Sequence, residues 1–357
     1  MKNVVLTMIG LSLLISACSI TPEPSEPLKI TDSSGHTAVL DGVPERVAIA
    51  GKATIMVQDA IFLFPEAVDR VIALENRNQS AFSFLPVVDP GLDEKEIFEK
   101  NVGPEQIAVV KPELVLMKSY MAEKLGEPLE QLDLPVLYLD LEAPEVFYQD
   151  LITLGQVFGN QDRADMLVSY YQDRVASVEE MVSSVTDDQK PSVLILEYSE
   201  DGGEVAFSVP PLTWLQTSLV EIAGGDPVWK DLEMEGGWVV VNLEQIAAWD
   251  PDIVFLIDYS GNASNVKSQI AANPILSQFR AVKNDQFFAF AYDFYSWDQP
   301  DTRWILGLQW LATKIHPDLT GEIDILSEVE SFYSELYLLD QETIDAEVIP
   351  RLTGDVP

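Results

Sequence analysis

The chain has 357 residues, with 21 Lys and Arg against 59 Asp and Glu, and a formal net charge of −38 at pH 7. Nucleic acid and anionic membrane surfaces need a basic footprint, so both are excluded as partners. The acids run along the whole chain, a pattern that equally serves solubility outside the cell. A single Cys excludes an internal disulfide and a Cys-based metal site, and 47% apolar residues suffice for a large core.

Residues 1–18 read as an export signal. Lys2 gives the positive start and Val4 to Ile15 is mostly apolar, too short to span a bilayer as a helix. Ile15-Ser16-Ala17-Cys18 places the lone Cys where a bacterial lipoprotein carries its lipid, so Cys18 is the expected anchor. Residues 19–28 are polar and Pro-rich, the composition of a flexible tether.

Ile30 to Val47 predicts a β-hairpin, with turns at Asp32-Ser33-Ser34-Gly35 and Asp41-Gly42. Strands follow at Val47 to Ala50 and Arg70 to Leu74, with a helix at Thr54 to Phe62 between them. Residues 104–117, PEQIAVVKPELVLM, give a short amphipathic helix, a Pro that ends it, and an apolar strand. A helix at Met121 to Gln131 and a strand at Leu134 to Leu139 come next. Asn160 to Val185 carries apolar residues at helical spacing (Ala164, Leu167, Tyr171, Val175, Val178, Val182, Val185) and reads as one long rod. Such a rod links two lobes or lies as a plain surface helix of one.

A strand at Ser192 to Glu197 and a helix at Leu212 to Ile222, stopped by Gly224-Gly225, open the second half. Residues 243–256, LEQIAAWDPDIVFL, then repeat the earlier unit, with Glu105/Glu244, Gln106/Gln245, Ile107/Ile246, Ala108/Ala247, Pro112/Pro251 and Val115/Val254 in matching places. Two such copies predict two similar α/β lobes with a ligand cleft between them. A strand at Phe287 to Ala291, an apolar helix at Thr302 to Ile315, and further helix within Glu322 to Glu347, packed on the outside, complete the chain. The boundaries expected are 29–158 for the first lobe, 159–187 for the connecting helix and 188–357 for the second lobe.

Ligands in open α/β sheets sit beyond the carboxyl ends of the strands. The side chains following the predicted strands are Lys52, Arg77 and Tyr120 in the first lobe, and Tyr198, Tyr259, Tyr292 and Trp297 in the second. Trp238 follows Gly236-Gly237 in a loop aimed at the same cleft. Arg303 either binds an anionic ligand or pairs with a local acid such as Asp301; Trp304 and Trp310 read as core. Aromatics stack on flat or greasy ligands and cations pair with carboxylate or catecholate oxygens. His36 and His316 fall at surface positions, which argues against a bare zinc cargo and against Ser/His/Asp catalysis. GxSxG, P-loop and GxGxxG signatures are missing, so no enzyme, catalytic residue or cofactor is expected.

The anchors Ile30-Thr31-Asp32, Gly35-His36-Thr37, Pro44-Glu45-Arg46-Val47, both EQI…P…V units, Ala281-Val282-Lys283-Asn284-Asp285 and Ser296 to Trp304 together resemble the substrate-binding lipoproteins of iron-siderophore, haem and cobalamin ABC importers, the type with a rigid helical backbone. The resemblance implies two Rossmann-like lobes with mainly parallel sheets, joined by one rigid helix and closing little on ligand. It implies an extracytoplasmic monomer, held to the membrane only by its lipid, that captures an iron complex for a permease and its ATPase subunit. It also implies that Glu105 and Glu244 dock onto permease arginines; their place in a first helical turn gives them a capping role as well. Haem or cobalamin import, and a ligand-sensing surface lipoprotein, are the alternatives.

Overall fold

A computed structural model describes residues 27–76, 80, 82–232, 236–274 and 276–357. The signal segment, Cys18, the tether up to residue 26 and Arg77 lie outside the described residues. The last tether residue, Leu28, already begins a strand.

The hairpin pairs β1 (Leu28–Thr31) with β2 (Thr37–Leu40) in antiparallel register. Asp32 organises its turn: Oδ1 accepts from the backbone N–H groups of Ser34 (3.0 Å) and His36 (3.1 Å), and Oδ2 accepts from Tyr138 N (2.9 Å), which ties the hairpin to the first lobe.

The first sheet contains β3 (Val47–Ile49), β4 (Val71–Glu75), β5 (Glu96–Phe98), β6 (Leu114–Lys118) and β7 (Val136–Leu139) in the order β5-β4-β3-β6-β7, all parallel. Its inner strands are buried on both faces, which accounts for apolar runs in place of alternation. The second sheet contains β8 (Ser192–Asp201), β9 (Glu204–Val209), β10 (Asp226–Pro227), β11 (Val239–Val241), β12 (Ile253–Ile257) and β13 (Phe287–Ala289). Its order is β11-β9-β8-β12-β13, with β10 beside β8. β8, β12, β13 and β10 are parallel, whereas β9 runs antiparallel to both β8 and β11, so this sheet is mixed. The Gly202-Gly203 pair, at φ 60° and 88°, makes the tight β8–β9 turn that any Cβ would strain.

The two sequence repeats fold alike. Helix Pro104–Val109 leads into β6 and helix Leu243–Trp249 into β12. In both, the residue before the Pro turns left-handed: Lys111 at φ 51° and Asp250 at φ 40°. The Pro disfavours α at that residue, and the left-handed turn swings the chain from helix to strand.

Between β7 and β8 the expected rod forms as Gln161–Val182, preceded by a further helix, Pro144–Phe158. Gly159 at φ 66° ends the first, and the Asn160 side chain caps the second by accepting from Arg163 N at 3.1 Å. At 1.5 Å per residue the second is a rod of about 33 Å. Its Tyr171 hydroxyl donates to Thr302 O at 2.6 Å. Arg163 donates to Leu63 O (3.0 Å) and Glu335 O (3.1 Å), joining first-lobe and carboxyl-terminal segments.

The carboxyl-terminal helical region packs one face against the body of the protein. Segments Ile325–Ser331 and Phe332–Leu336 expose Ser327, Glu330, Ser334 and Glu335, yet their inner face reaches the junction between the lobes. Phe332, Tyr333, Leu336 and Tyr337 are buried, and the Phe84 ring packs against Phe294, Tyr333 and Tyr337 at 4.7–5.5 Å. Such an aromatic run has too much apolar area to leave in water.

At that junction Arg303, fully buried, meets three carboxylates. Nη1 lies 2.5 Å from Asp59 Oδ2 and 2.9 Å from Asp301 Oδ1, and Nε lies 2.8 Å from Asp293 Oδ1. Tyr333 Oη accepts from Arg303 Nε (3.0 Å) and donates to Asp293 Oδ2 (2.5 Å); Tyr337 Oη donates to Asp59 O (3.0 Å). Burial holds the Asp59 carboxyl well above the usual carboxylate range against the pull of Arg303, with Asp301 reinforcing the rise.

Candidate ligand cleft

The carboxyl ends of the two sheets meet. Ser80, in the loop after β4, makes a 2.8 Å hydrogen bond with Tyr292 Oη in the segment after β13 and also donates to Phe294 O. A cavity lies at each side. One, of about 460 Å³, sits at the end of β4 and is lined by Thr54, Glu75, Asn76, Phe82, Phe84 and Lys95. The other, of about 360 Å³, sits at the ends of β8 and β12 and is lined by Glu197, Tyr198, Glu200, Asp258, Tyr259 and Ser260.

In the first lobe Glu75 braces the loops at the strand ends. It is fully buried, and its carboxylate accepts from Gly51 N (2.7 Å) and Asn101 N (2.6 Å). Lys52, next along, is exposed at the end of β3, and Tyr120 is 55% exposed just past β6. Lys118, at the end of β6, is not presented: it is buried and lies 2.7 Å from Glu142 Oε1.

In the second lobe an aromatic wall forms. Trp214, Trp238 and Tyr259 are half-buried and stand edge to face in series, with centroids 5.9 and 6.0 Å apart. Tyr259 Oη donates to Asp298 Oδ2 at 2.8 Å, and Gln216 and Gln299 amides donate to the same oxygen at 3.2 and 3.1 Å. Burial raises the Asp298 carboxyl despite these donors, and burial with Asp298 beside it pushes the Tyr259 phenol well up. Tyr198 Oη donates to Glu200 at 2.8 Å. Trp214 was not among the sequence candidates; it stands at the foot of a helix after Pro210-Pro211, a loop signal adjoining an antiparallel strand.

The structure thus brings Tyr198, Trp238 and Tyr259 together at the end of the second sheet, and Lys52 and Tyr120 at the end of the first. It does not bring Tyr292, Trp297 or Arg303 to an open wall. Tyr292 is 3% exposed and bridges to Ser296 and Thr353, and Trp297 is fully buried. The segment after β13 folds into the junction between the lobes, where Arg303 takes the local-acid role with Asp301 and adds the distant Asp59 and Asp293. Trp304 and Trp310 are core. Glu105 and Glu244 are exposed in the first turns of their helices, while capping falls to neighbours: Gln106 Oε1 accepts from Gly103 N (3.0 Å), and Asn242 Oδ1 accepts from Gln245 N (2.8 Å). His36 and His316 are half-buried and partnered by Glu130 and Gly224 O. Among the described residues no group of three or more His, Cys, Asp or Glu could hold a metal ion, and no helix is long and apolar enough to cross a membrane.

Two α/β lobes meeting at their strand ends, with a cavity in each, have the architecture of a solute-binding protein. The chain belongs to the periplasmic binding protein family, whose model matches residues 96–291. Its members are non-enzymatic carriers, and this chain is a substrate-binding protein of an ABC transporter. It is 24% identical over 301 residues to an uncharacterized ABC transporter substrate-binding lipoprotein of Bacillus subtilis, YvrC, covering 83% of this chain and 88% of the relative. A periplasmic solute binding protein from Veillonella parvula superposes with a TM-score of 0.72 at 22% identity, covering 90% of this chain and 97% of that one. The molybdate-bound MolA of Haemophilus influenzae gives 0.72 at 16% identity over 88% of this chain and 98% of that one.

Proposed function

We propose that the chain captures a ferric iron complex outside the cytoplasmic membrane, held there by lipid on Cys18, and delivers it as a monomer to a permease and its ATPase subunit. The observation that carries this reading is the half-buried aromatic wall of Trp214, Trp238 and Tyr259 beside Tyr198. Indole and phenol faces suit a bulky chelate that brings its own metal ligands, and suit a small tetrahedral oxyanion poorly. The lipid anchor draws support from the position of Cys18 and from a relative named as a lipoprotein. Exposed Glu105 and Glu244, at equivalent points of the two repeats, supply a two-point electrostatic grip on the permease.

The test is a calorimetric titration with ferric siderophores, ferric citrate, haem, cobalamin and molybdate, each iron chelate alongside its metal-free form. Saturable submicromolar binding of a ferric complex, with the metal-free chelator weaker, supports the reading. Preference for haem, cobalamin or molybdate replaces it.

A further inference from the structure

We infer that the second-lobe cavity makes this carrier select neutral or positively charged chelates that bring hydrogen-bond donors, and reject polyanionic ones; the inference rests on the proposed capture of a ferric complex.

The first ground is hydrogen-bond polarity. The two phenols that line the cavity have committed their protons: Tyr198 Oη donates to the exposed, cavity-lining Glu200 and Tyr259 Oη to the buried Asp298, both at 2.8 Å. What each phenol oxygen can still offer is a lone pair. The Asp258 carboxylate beside them accepts from Ser260 N at 2.9 Å and Ser260 Oγ at 2.8 Å, and a carboxylate has further acceptor capacity. Ser199, Asn262 and Gln269 also line the cavity and can donate, so the acceptors that a ligand must meet with N–H or O–H groups are the phenol oxygens, Glu200 and Asp258.

The second ground is charge. Glu197, Glu200 and Asp258 line the cavity, and none of its lining residues is Lys or Arg. The carboxyls sense one another: burial raises Glu197, and Asp258 and Asp298 add to the rise. Lys267, next to the lining residue Val266, is committed to Asp355 at 2.6 Å, and Arg303 at the lobe junction to Asp59, Asp293 and Asp301. On the opposite lobe Lys52 is exposed at the end of β3, and Lys95 in the first-lobe cavity is committed to Asp89 at 3.3 Å. A polyanion would have to give up water to face like charges, which is how a site discriminates against a wrong ligand.

Ferric chelates sort cleanly by this rule. Three hydroxamates, each carrying one negative charge, neutralise Fe³⁺, and a pendant ammonium makes the complex singly positive. Three catecholates leave a charge of minus three. The structure therefore assigns the cargo to the trihydroxamate charge class, with an amine or amide N–H directed at Glu200 and Asp258.

The experiment measures affinities of the protein for a ferric trihydroxamate bearing a free amine, for its N-acetylated neutral form, and for a ferric tricatecholate, with Glu200→Gln and Glu197→Gln beside the wild type. Glu200 is exposed, so its replacement tests charge with little risk to the fold; thermal melting checks this. The expected order is amine form, then acetylated form, then tricatecholate, with the first step about fivefold, the upper range for one exposed charge pair. Glu200→Gln should shrink that step to under about threefold. A tricatecholate that binds more tightly than both hydroxamates overturns the inference and leaves the iron reading standing. So does an amine-to-acetyl step unchanged in both variants. If no ferric complex binds better than its metal-free chelator, the iron reading falls and takes this inference with it.

Discussion

Replacing Arg303 with Met is the sharpest test of how the lobes are held. The guanidinium is fully buried and faces Asp59, Asp293 and Asp301, three acids from two distant parts of the chain. Removing one partner of a buried pair strands the other, at a cost of about 3–5 kcal/mol. Here more than one carboxyl is stranded, so the lower figure is a floor, set against a whole-domain stability of about 5–15 kcal/mol. Asp59→Asn should behave differently. Burial already disfavours the charged form of that carboxyl, so a neutral amide of the same shape disturbs the cluster less than loss of the cation. Its cost should stay near that of one ordinary hydrogen bond, about 0.5–1.5 kcal/mol. Urea denaturation at pH 7 of wild type and both variants reads the difference. Equal losses for the two variants, or a loss under about 1 kcal/mol for Arg303→Met, would refute the view that the guanidinium is the centre of this cluster.

Other predictions follow from the same coordinates. Asp150 is fully buried, and burial pushes its carboxyl up to about 7 although Oδ2 accepts from Asp140 N (2.8 Å) and Leu141 N (2.9 Å). The folded state then binds more protons than the unfolded state, so stability contributed at low pH is lost as pH rises from about 4 to about 7. Asp150→Asn should flatten that slope, and a slope unchanged by the substitution would contradict the assignment. Gly307→Ala should lower the melting temperature markedly, by a loss of about 1–3 kcal/mol, because the new Cβ would strike the Trp297 carbonyl, which is backbone and cannot swing aside. Charge reversal at both Glu105 and Glu244 should cut transport while leaving ligand affinity intact; lost affinity would place them in the binding site or the fold.

Much of the architecture was legible because its signals are local. The duplicated EQI…P…V unit marks a helix, its stop and a buried strand within 14 residues, and both copies fold that way down to the left-handed residue before the Pro. Strand β9 was equally available from Gly202-Gly203 followed by an apolar run, and helix Pro144–Phe158 from Pro144 and Gly159 at its ends. What sequence could not supply was long-range pairing. Arg303 next to Asp301 was a visible pair, but Asp59 is 244 positions away, and its contact decides that the guanidinium holds lobes together and does not face a ligand. Trp297 and Trp238 look alike as loop indoles. Only the fold of the segment after β13 into the junction buries the first and leaves the second half open.

The most direct test of the central claim is a tryptophan fluorescence titration of wild type and Trp238→Phe with a ferric trihydroxamate and its metal-free form. Saturable quenching by the ferric complex, weakened both in amplitude and in affinity by Trp238→Phe, is the result expected if a chelate rests on the wall of Trp214, Trp238 and Tyr259. Quenching identical in the two proteins, or no saturation with any ferric complex, would contradict it.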